Sequence, residues 1–570
     1  MASEEEHVES HGWSEEEHWI RVSKGSKICE AFRSLKSAKS TFQGTLEDIA
    51  YYALPNFERE EKTGDDGVPM RPVSSKPVLA AHSLGGNLFS NTVSTGQEWY
   101  TLRGNNSIEK RDKLAQEWLY GTTQESLRYI QNSNFSEAFG SMITLYGTFG
   151  TGVLDTDFDP SRGQLVFRNI NINEDVFVQE SERGIVDSVY RVLRLTARQA
   201  KEIFGLDSLP QKVIDALADE SRIAEKFKFI HAVYPNKDMD ESRLDYMGMP
   251  YLSCYVFEPE ERIVYESGYR TFPFAVPRFI KIRNFPYGYG AGHNALFTMR
   301  ELNRNEAALI DAVEMAAHPP VFTPDEDSVE TMDLRPNSVM FVDMTNGRPE
   351  VYASAAGNVG VMHQRVQELR YEIDQLFYND VFQMIRETAR DRATATEIRA
   401  LDEEKLSAIG PMVVRLQSEC FSVMIERVVD LLMFYGVIPQ PPESLQQEGF
   451  RVVYTSRIDS KLALVQNQMT ISAAQNAAQL LALGSQIPEI GTVMKLEEAA
   501  KQILERAHID PSLIFTEQER RKLEQAQAEQ AQQAQQLEQY KAAVKPVDPS
   551  APVAQNSPLA ALEGLSAQGL

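Results

Sequence analysis

Two long stretches of the chain repeat apolar residues with helical spacing. Residues 294–318 form an uninterrupted helical pattern that ends at Pro319 and Pro320, because proline cannot continue a helix. A second pattern begins near residue 361 and runs through Gln383 toward Arg386. Its apolar positions alternate spacings of three and four: Val366, Leu369, Ile373 and Leu376. We expect two long helices separated by about 40 residues of other structure.

Other segments also have helical spacing. One begins near Lys27 and stops at Pro55, two more cover residues 108–119 and 124–143, and another reaches from about residue 395 to Tyr435. Between and around them lie short runs that alternate in strand fashion and are divided by Pro and Gly. The strand-like runs are GQLVFRNI, DVFVQE, DSVYRVLRL, the segments within 250–283, VMFVDM, PEVYAS and RVVYTS. This order predicts an α+β fold with a predominantly antiparallel sheet.

The second long helix stops among arginines. Residues 394–397 have the T-x-x-E form of a helix capping box, so a new helix should begin near Ala395 and the break should fall at about 388–394. Arg386, Arg390 and Arg392 lie here against only Glu387 and Asp391. The pattern alone favours a solvated turn between helices, with a slight local excess of positive charge.

The whole chain is strongly acidic. Its 570 residues include 82 Asp and Glu against 57 Lys and Arg, a formal net charge of −25. Such a surface repels phosphate backbones and anionic membranes, so any contact with DNA must be local. We predict no membrane span, because the most apolar stretch is interrupted by Glu426, Arg427 and Asp430, and the N-terminus lacks the regions of a signal peptide.

Cysteine usage indicates neither a disulfide framework nor a zinc site. Cys29, Cys254 and Cys420 are far apart and include no C-x-x-C pair, which fits a reducing cytoplasm. The sequence SEEEH occurs twice near the N-terminus, and an acidic, solvated arm explains it better than a metal site.

One motif is typical of a catalytic serine. AHSLGG, residues 81–86, resembles the nucleophile elbow of lipases, with Ser83 as nucleophile and VLA as the preceding strand. The first glycine is replaced by Ala81, no HGGG motif precedes it, and parallel β/α alternation does not follow. A serine hydrolase is therefore the weaker alternative.

Two glycine-rich segments lack the lysine of a phosphate-binding loop. GTFGTG covers residues 147–152, and FPYGYGAGH covers 285–293, directly before the first long helix. We expect the second to be the turn that leads into that helix. We predict no catalytic residue, no metal site and no cofactor.

Several segments, taken in order, resemble the head-to-tail connector, or portal, family of short-tailed bacteriophages of the podovirus type. They are QEWYTLRG at 97–104, RGIVDSVYRVLRLTARQAKEIFG at 183–205, the run from FPYGYGAGH through HPPVF, and TATEI. The resemblance extends over approximately residues 30 to 510. It implies a portal fold with a mixed α/β wing, two long stem helices flanking a small β-containing clip, and a helical C-terminal crown.

The resemblance also implies a division of the chain into regions. In chain order they are an acidic arm 1–25, the wing 26–293, stem helix 294–318, the clip 319–360, stem helix 361–387, a tunnel loop 388–394, wing return helices 395–500, a crown helix 501–543 and a disordered tail 544–570.

The implied function is a ring of twelve subunits at one capsid vertex, assembled in the host cytoplasm and retained in the virion. Double-stranded DNA would pass through it during packaging by the terminase large subunit and during ejection. Tail adaptor and nozzle proteins, the major capsid protein and scaffolding protein would be further partners. The implied DNA-facing residues are Arg386, Arg390, Asp391, Arg392 and Thr394. The implied clip contacts to terminase and tail are Asp325, Glu326, Asp327, Asn346 and Arg348.

A third class of function stays open beside the conduit and the hydrolase. A phage internal-core or scaffold protein would self-assemble without a DNA channel, and images of the purified protein distinguish it by the absence of a central hole.

Overall fold

The structure of the chain is a computed structural model, and the residues that it describes all belong to the unit Met1–Leu462. The described ranges are 15–57, 71–93, 98–105, 112–174, 176–222, 224–283, 285–318, 321–324, 339–342, 355–382 and 409–455.

The N-terminal part of the body is mainly helical. The helix predicted from Lys27 begins earlier, at Glu15, and ends just before Pro55, as expected. The elements are α1 (Glu15–Ala53), α2 (Lys76–Thr92), β1 (Tyr100–Gly104), α3 (Lys113–Gln131) and α4 (Phe135–Phe149).

The sequence predicted separate helices over residues 108–119 and 124–143, and the break between them is wrong. Helix α3 runs through it and ends at Gln131 instead. The Thr123 hydroxyl donates to the Leu119 carbonyl at 2.8 Å and accepts from the Leu102 amide of β1 at 3.1 Å. Because this buried hydroxyl has both partners, Thr123 is tolerated inside the helix despite its low helix propensity.

The middle of the chain forms the predicted antiparallel sheet. The elements are β2 (Leu154–Asp159), β3 (Gln164–Asn169), β4 (Val176–Glu180), β5 (Val186–Thr196), α5 (Ala197–Phe204), α6 (Gln211–Ala218), β6 (Lys226–Pro235), β7 (Tyr251–Phe257), β8 (Arg262–Tyr269), β9 (Phe274–Ala275), β10 (Ile280–Lys281) and β11 (Gly288–Tyr289). Five strands pair in the order β4-β5-β6-β7-β8, and a smaller sheet has the order β3-β2-β9. The α+β class is thereby confirmed.

Helices cover both faces of the five-stranded sheet. Phe32 of α1 packs on Phe177 at one face, and Phe204 of α5 packs on Phe229 at the other. Helix α5 begins with a capping box, in which the Thr196 hydroxyl accepts from the Gln199 amide and Gln199 Oε1 accepts from the Thr196 amide.

The two long helices follow. The first is observed as α7 (Ala291–Ala317) and the second as α8 (Ala355–Leu376), and the parallel strands β12 (Val321–Pro324) and β13 (Val339–Val342) lie between them in sequence. After α8 the chain is helical over 409–416, has a π-helical turn at Gln417–Phe421, and continues as α9 (Ser422–Phe434), α10 (Glu443–Glu448) and β14 (Phe450–Tyr454), which pairs with β1.

The spacing predicted one continuous helix through Gln383, but the second long helix is interrupted before that residue. It turns at Phe377 and Tyr378, where Tyr378 has a φ of +56°. Phe377, Asn379 and Phe382 are all buried, and a straight helix would direct them to different sides. Burial of all three in the body therefore outweighs continuation of the helix.

The two glycine-rich segments pack against each other at the base of α7. Gly150 has a φ of +87°, and a Cβ at Gly150 would overlap backbone atoms of Tyr289 and Gly290. The Gly150 carbonyl accepts from the Phe279 amide at 2.8 Å. The close contact accounts for these glycines, because residues without a Cβ allow two backbones to cross in contact.

A buried ion-pair network lies beside this crossing. Arg278 is only 1% exposed, and its guanidinium donates to both carboxylate oxygens of Glu419, to Glu180 and to the Gly184 carbonyl. Glu419 belongs to the π-helical turn. The network joins the turn between β4 and β5, the segment before β10, and the helical region that leads into α9.

The glycine crossing predicts a position-specific effect of alanine. Gly150→Ala and Gly163→Ala both place a side chain at positive φ, but a Cβ at Gly163 meets nothing within 4 Å. We expect Gly163→Ala to cost about 1 kcal/mol and Gly150→Ala about 2 kcal/mol more, because the backbones must separate. Thermal unfolding followed by circular dichroism measures the difference, and equal melting temperatures for the two variants would contradict it.

Candidate assembly surface

Helices α7 and α8 form a pair that touches the body along one narrow stripe. Among the described side chains of α8, the buried ones lie three or four positions apart between residues 366 and 373, so the rest of its circumference faces away from the protein core. Beyond Glu306, no residue of α7 is buried. The buried apolar side chains of the pair include Ala295, Met299 and Leu302 in α7, and Val366, Leu369 and Ile373 in α8; Thr298 and Glu306 of α7 are buried as well.

Polar contacts fix the two helices side by side. Arg370 Nε donates to the largely buried Glu306 carboxylate at 2.9 Å, and Arg365 donates to Glu301, also at 2.9 Å. The Thr298 hydroxyl donates to Glu372 at 3.2 Å. Loss of Arg370 would leave the largely buried Glu306 carboxylate unpaired, which is costly, whereas exposed pairs such as Arg365–Glu301 contribute little.

Helix α2 packs beside this pair. Asn303 Oδ1 of α7 accepts from the Val73 amide at 2.6 Å, and Lys76 at the start of α2 forms an ion pair with Asp374 of α8. These contacts create a shallow groove between α2 and α8. Its lining residues are Ser75, Lys76, Leu79, Gln367, Arg370, Tyr371 and Asp374.

A neutral histidine caps the base of α7. His293 Nδ1 accepts from the Gly290 amide at 3.2 Å, and its ring stacks on Tyr289 and Phe42 with centroids 4.5 and 5.2 Å away. Burial lowers the pKa of His293 to about 4. Since Nδ1 must be unprotonated to accept this bond, the cap requires the neutral ring.

Large apolar side chains are exposed on the pair. Phe297 is 76% exposed, Val361 68% and Tyr371 62%, and Leu79 of the adjacent α2 is 62% exposed. Their neighbours on the α8 surface are Gln364, Gln367, Glu368, Glu372 and Gln375, all exposed. Isolated exposed apolar residues are common, but aromatic side chains on a polar helical surface are typical of contact with another molecule.

The site residues implied by the resemblance lie outside the described residues. This applies to Arg386, Arg390, Asp391, Arg392 and Thr394 of the tunnel loop, and to Asp325, Glu326, Asp327, Asn346 and Arg348 of the clip. Their assignments stay predictions. The sequence analysis missed Phe297, although this residue lies off the apolar stripe of its helix and was identifiable as a large apolar residue on the polar side.

The lipase-like motif is not a nucleophile elbow. VLA was expected to be a strand, but it lies inside α2 together with Ser83, which is exposed in mid-helix. Gly85 is explained by packing, since a Cβ there would overlap Thr144 of α4. The elbow requires a sharp turn between strand and helix, which a continuous helix cannot provide.

A buried serine–histidine pair also lacks the arrangement for catalysis. His231 Nε2 lies 3.0 Å from Ser253 Oγ, and Arg191 Nε donates to His231 Nδ1 at 2.9 Å. Because arginine can only donate, Nδ1 is the acceptor and Nε2 carries the proton. Burial holds the pKa of His231 well below its usual value, and the ring donates to Ser253 instead of taking its proton.

The described residues offer neither a metal site nor a membrane span. They contain no group of three His, Cys, Asp or Glu residues that could hold a metal ion, and the side chains of both SEEEH copies lie outside them. Within the same ranges, no helix is both long and apolar enough to cross a bilayer.

A known protein family and two known proteins match this chain over most of its length. The family profile described as Bacteriophage head to tail connecting protein matches residues 26–514. The chain is similar to the probable portal protein of Bordetella phage BPP-1, with 25% identity over 493 residues, 84% of this chain and 87% of that one. It is also similar to the portal protein of Salmonella phage epsilon15, with 23% identity over 508 residues, 86% of this chain and 89% of that one.

The His293 cap predicts a loss of stability in mild acid. An unfolded histidine titrates near pH 6.5, whereas the native ring titrates at about 4. Between these values only the unfolded state binds the proton, so stability falls as pH drops from about 6.5 toward 4. His293→Gln keeps an acceptor for the Gly290 amide, as Gln199 does in α5, and does not titrate.

We expect the stability lost between pH 7 and pH 5 to be about 2 kcal/mol smaller in His293→Gln than in the unsubstituted protein. Denaturant unfolding at the two pH values measures it. His363→Gln is the matched control, because it makes the same substitution at an exposed histidine outside the cap. An unaltered pH dependence in His293→Gln would refute the assignment.

Proposed function

Because the chain belongs to the bacteriophage head-to-tail connecting protein family, we propose that it forms a ring at one capsid vertex, through which double-stranded DNA enters and leaves the head. The family match over residues 26–514 carries this proposal. The two similar proteins are named as portal proteins, and both matches extend over most of their length. In this role the protein is a component of the virion and performs no catalytic turnover.

The helix pair supports a ring, because it needs partners that a single chain lacks. Helices α7 and α8 bury one stripe and expose aromatic residues elsewhere. Neighbouring copies arranged head to tail around an axis can cover such surfaces, since a heterologous contact forms a ring where its rotation closes. We propose twelve copies, with α7 and α8 as the stem.

The charge balance suits a channel in which DNA must slide. Twelve copies would carry a formal charge of −300, twelve times −25. An acidic surface does not bind phosphates tightly, so the genome is not held along the bore. The few arginines of residues 386–392 would guide phosphates at the narrowest point, and a separate terminase large subunit would supply the work of packaging.

The segment between the stem helices is the proposed contact for terminase and tail proteins. Strands β12 and β13 pair in parallel there. The proposed contact residues are Asp325, Glu326, Asp327, Asn346 and Arg348. Capsid and scaffolding proteins would contact the ring at the vertex.

An internal-core or scaffold protein is the alternative from another class. Electron micrographs of the purified protein distinguish the two, because the proposal requires rings with a central hole and about twelvefold symmetry. Assemblies without a hole would favour the alternative.

Removing the arginines of the break tests their proposed role at the DNA. We expect Arg386→Ala, Arg390→Ala and Arg392→Ala together to reduce the DNA content of heads while rings still assemble, because the guiding positive charges are lost. Packaged DNA per purified head is the measurement.

A triple variant of the body surface is the matched control. Arg128, Arg162 and Arg243 are exposed, and their ion pairs among the described residues are with residues nearby in sequence. Replacing all three by alanine removes as many positive charges as the 386/390/392 variant does. This control should leave DNA content unchanged. Normal DNA content in the 386/390/392 variant would argue against a role of these residues at the DNA.

A further inference from the structure

We propose that Phe297 of one copy inserts into the groove between Leu79 and Tyr371 of the next copy. This inference rests on the proposed ring and specifies a contact by which it closes. The three side chains are 76%, 62% and 62% exposed in the single chain. A phenyl ring and a groove flanked by a leucine and a tyrosine are complementary in chemistry.

The projecting residue and the groove face opposite sides of the helix pair. Glu306 bonds to Arg370, a lining residue of the groove. Phe297 precedes Glu306 by nine residues, and at about 100° per residue its direction differs by about 180°. One copy therefore presents Phe297 on one side and the groove on the other, which is the requirement for a head-to-tail contact.

The two features also lie at the same level along the pair. The hydrogen bond from Thr298 to Glu372 joins residues directly adjacent to Phe297 and Tyr371. A contact between features at equal height adds no rise from one copy to the next along the helix pair. Zero rise favours a closed ring over an open helical filament.

Most charges around the contact are already paired within one copy. Arg300, which follows Phe297 on the same face of α7, pairs with Asp48 of α1. In the groove, Asp374 pairs with Lys76 and Arg370 with Glu306. The apolar side chains therefore carry the contact, and the paired charges do not oppose the approach of Phe297.

The size of the contact favours a second copy over an unrelated partner. One aromatic side chain buries about 150–250 Å², whereas a stable complex needs about 800 Å² per partner. The contact is too small to hold a partner alone, but in a ring it repeats at every interface beside other surfaces of the same subunits.

Crosslinking of introduced cysteines tests the contact in the full chain. Cys29, Cys254 and Cys420 are all buried, and burial raises the pKa of each thiol, so introduced surface cysteines react first. We expect Phe297→Cys with Leu79→Cys, treated with a short bis-maleimide, to give a ladder of covalent multimers on a denaturing gel. Each single variant should stay monomeric on the gel, since the contact pairs unlike positions.

A second pair controls for random collision. Tyr120 is 66% exposed on α3, outside the helix pair. Phe297→Cys with Tyr120→Cys should give no ladder. Rings in electron micrographs without the Phe297/Leu79 ladder, or equal ladders from both pairs, would overturn the contact while the ring proposal stands. Absence of rings from the unsubstituted protein would overturn both.

A charged substitution provides an independent measurement. We expect Phe297→Asp to raise the protein concentration needed for ring assembly about tenfold, because a carboxylate cannot be buried in the groove. Tyr120→Asp is the matched control and should leave that concentration unchanged. Sedimentation velocity measures it, and unaltered assembly of Phe297→Asp would overturn the contact.

Discussion

The close crossing of two backbones at Gly150 and Gly288–Gly290 determines how the long helix leaves the body. Any side chain at Gly150 or Gly290 would force the segments apart, and the Gly150 carbonyl bonds across to Phe279. The same place holds the His293 cap and lies next to the buried Arg278–Glu419 network. The direction of α7 is therefore fixed by backbone contact, and every surface that the helix pair presents depends on it.

Hydrophobic periodicity predicted the helices and strands that bury only one face. Helix α7 begins three residues before the expected residue 294 and ends within one residue of the expected end, because its stripe is regular and the prolines stop it. Four strands of the five-stranded sheet were likewise predicted, whereas its central strand β6 (Lys226–Pro235) was missed. The connector resemblance read from the same segments is confirmed by the family match.

Prediction was wrong where distant segments decide the local structure. Thr123 stays helical because Leu102 of β1 bonds to it, and the helix turns at Phe377 and Tyr378 because Phe377, Asn379 and Phe382 all enter the core. The sequence indicated no structural role for the glycines of residues 147–152, because their partner lies about 140 residues further along the chain. Local spacing contains none of this information, and for the same reason it did not identify the groove between α2 and α8.

Net charge sets a condition on the proposed ring. The charge of −25 per copy makes neighbouring subunits repel, while the same sign keeps DNA from adhering to the channel. Apolar contacts lose little strength in salt, whereas repulsion between exposed charges is screened within about 10 Å at 0.1 M. A ring held by aromatic residues at its subunit contacts would therefore assemble more readily as ionic strength rises, and its acidic lining would still not retain the genome.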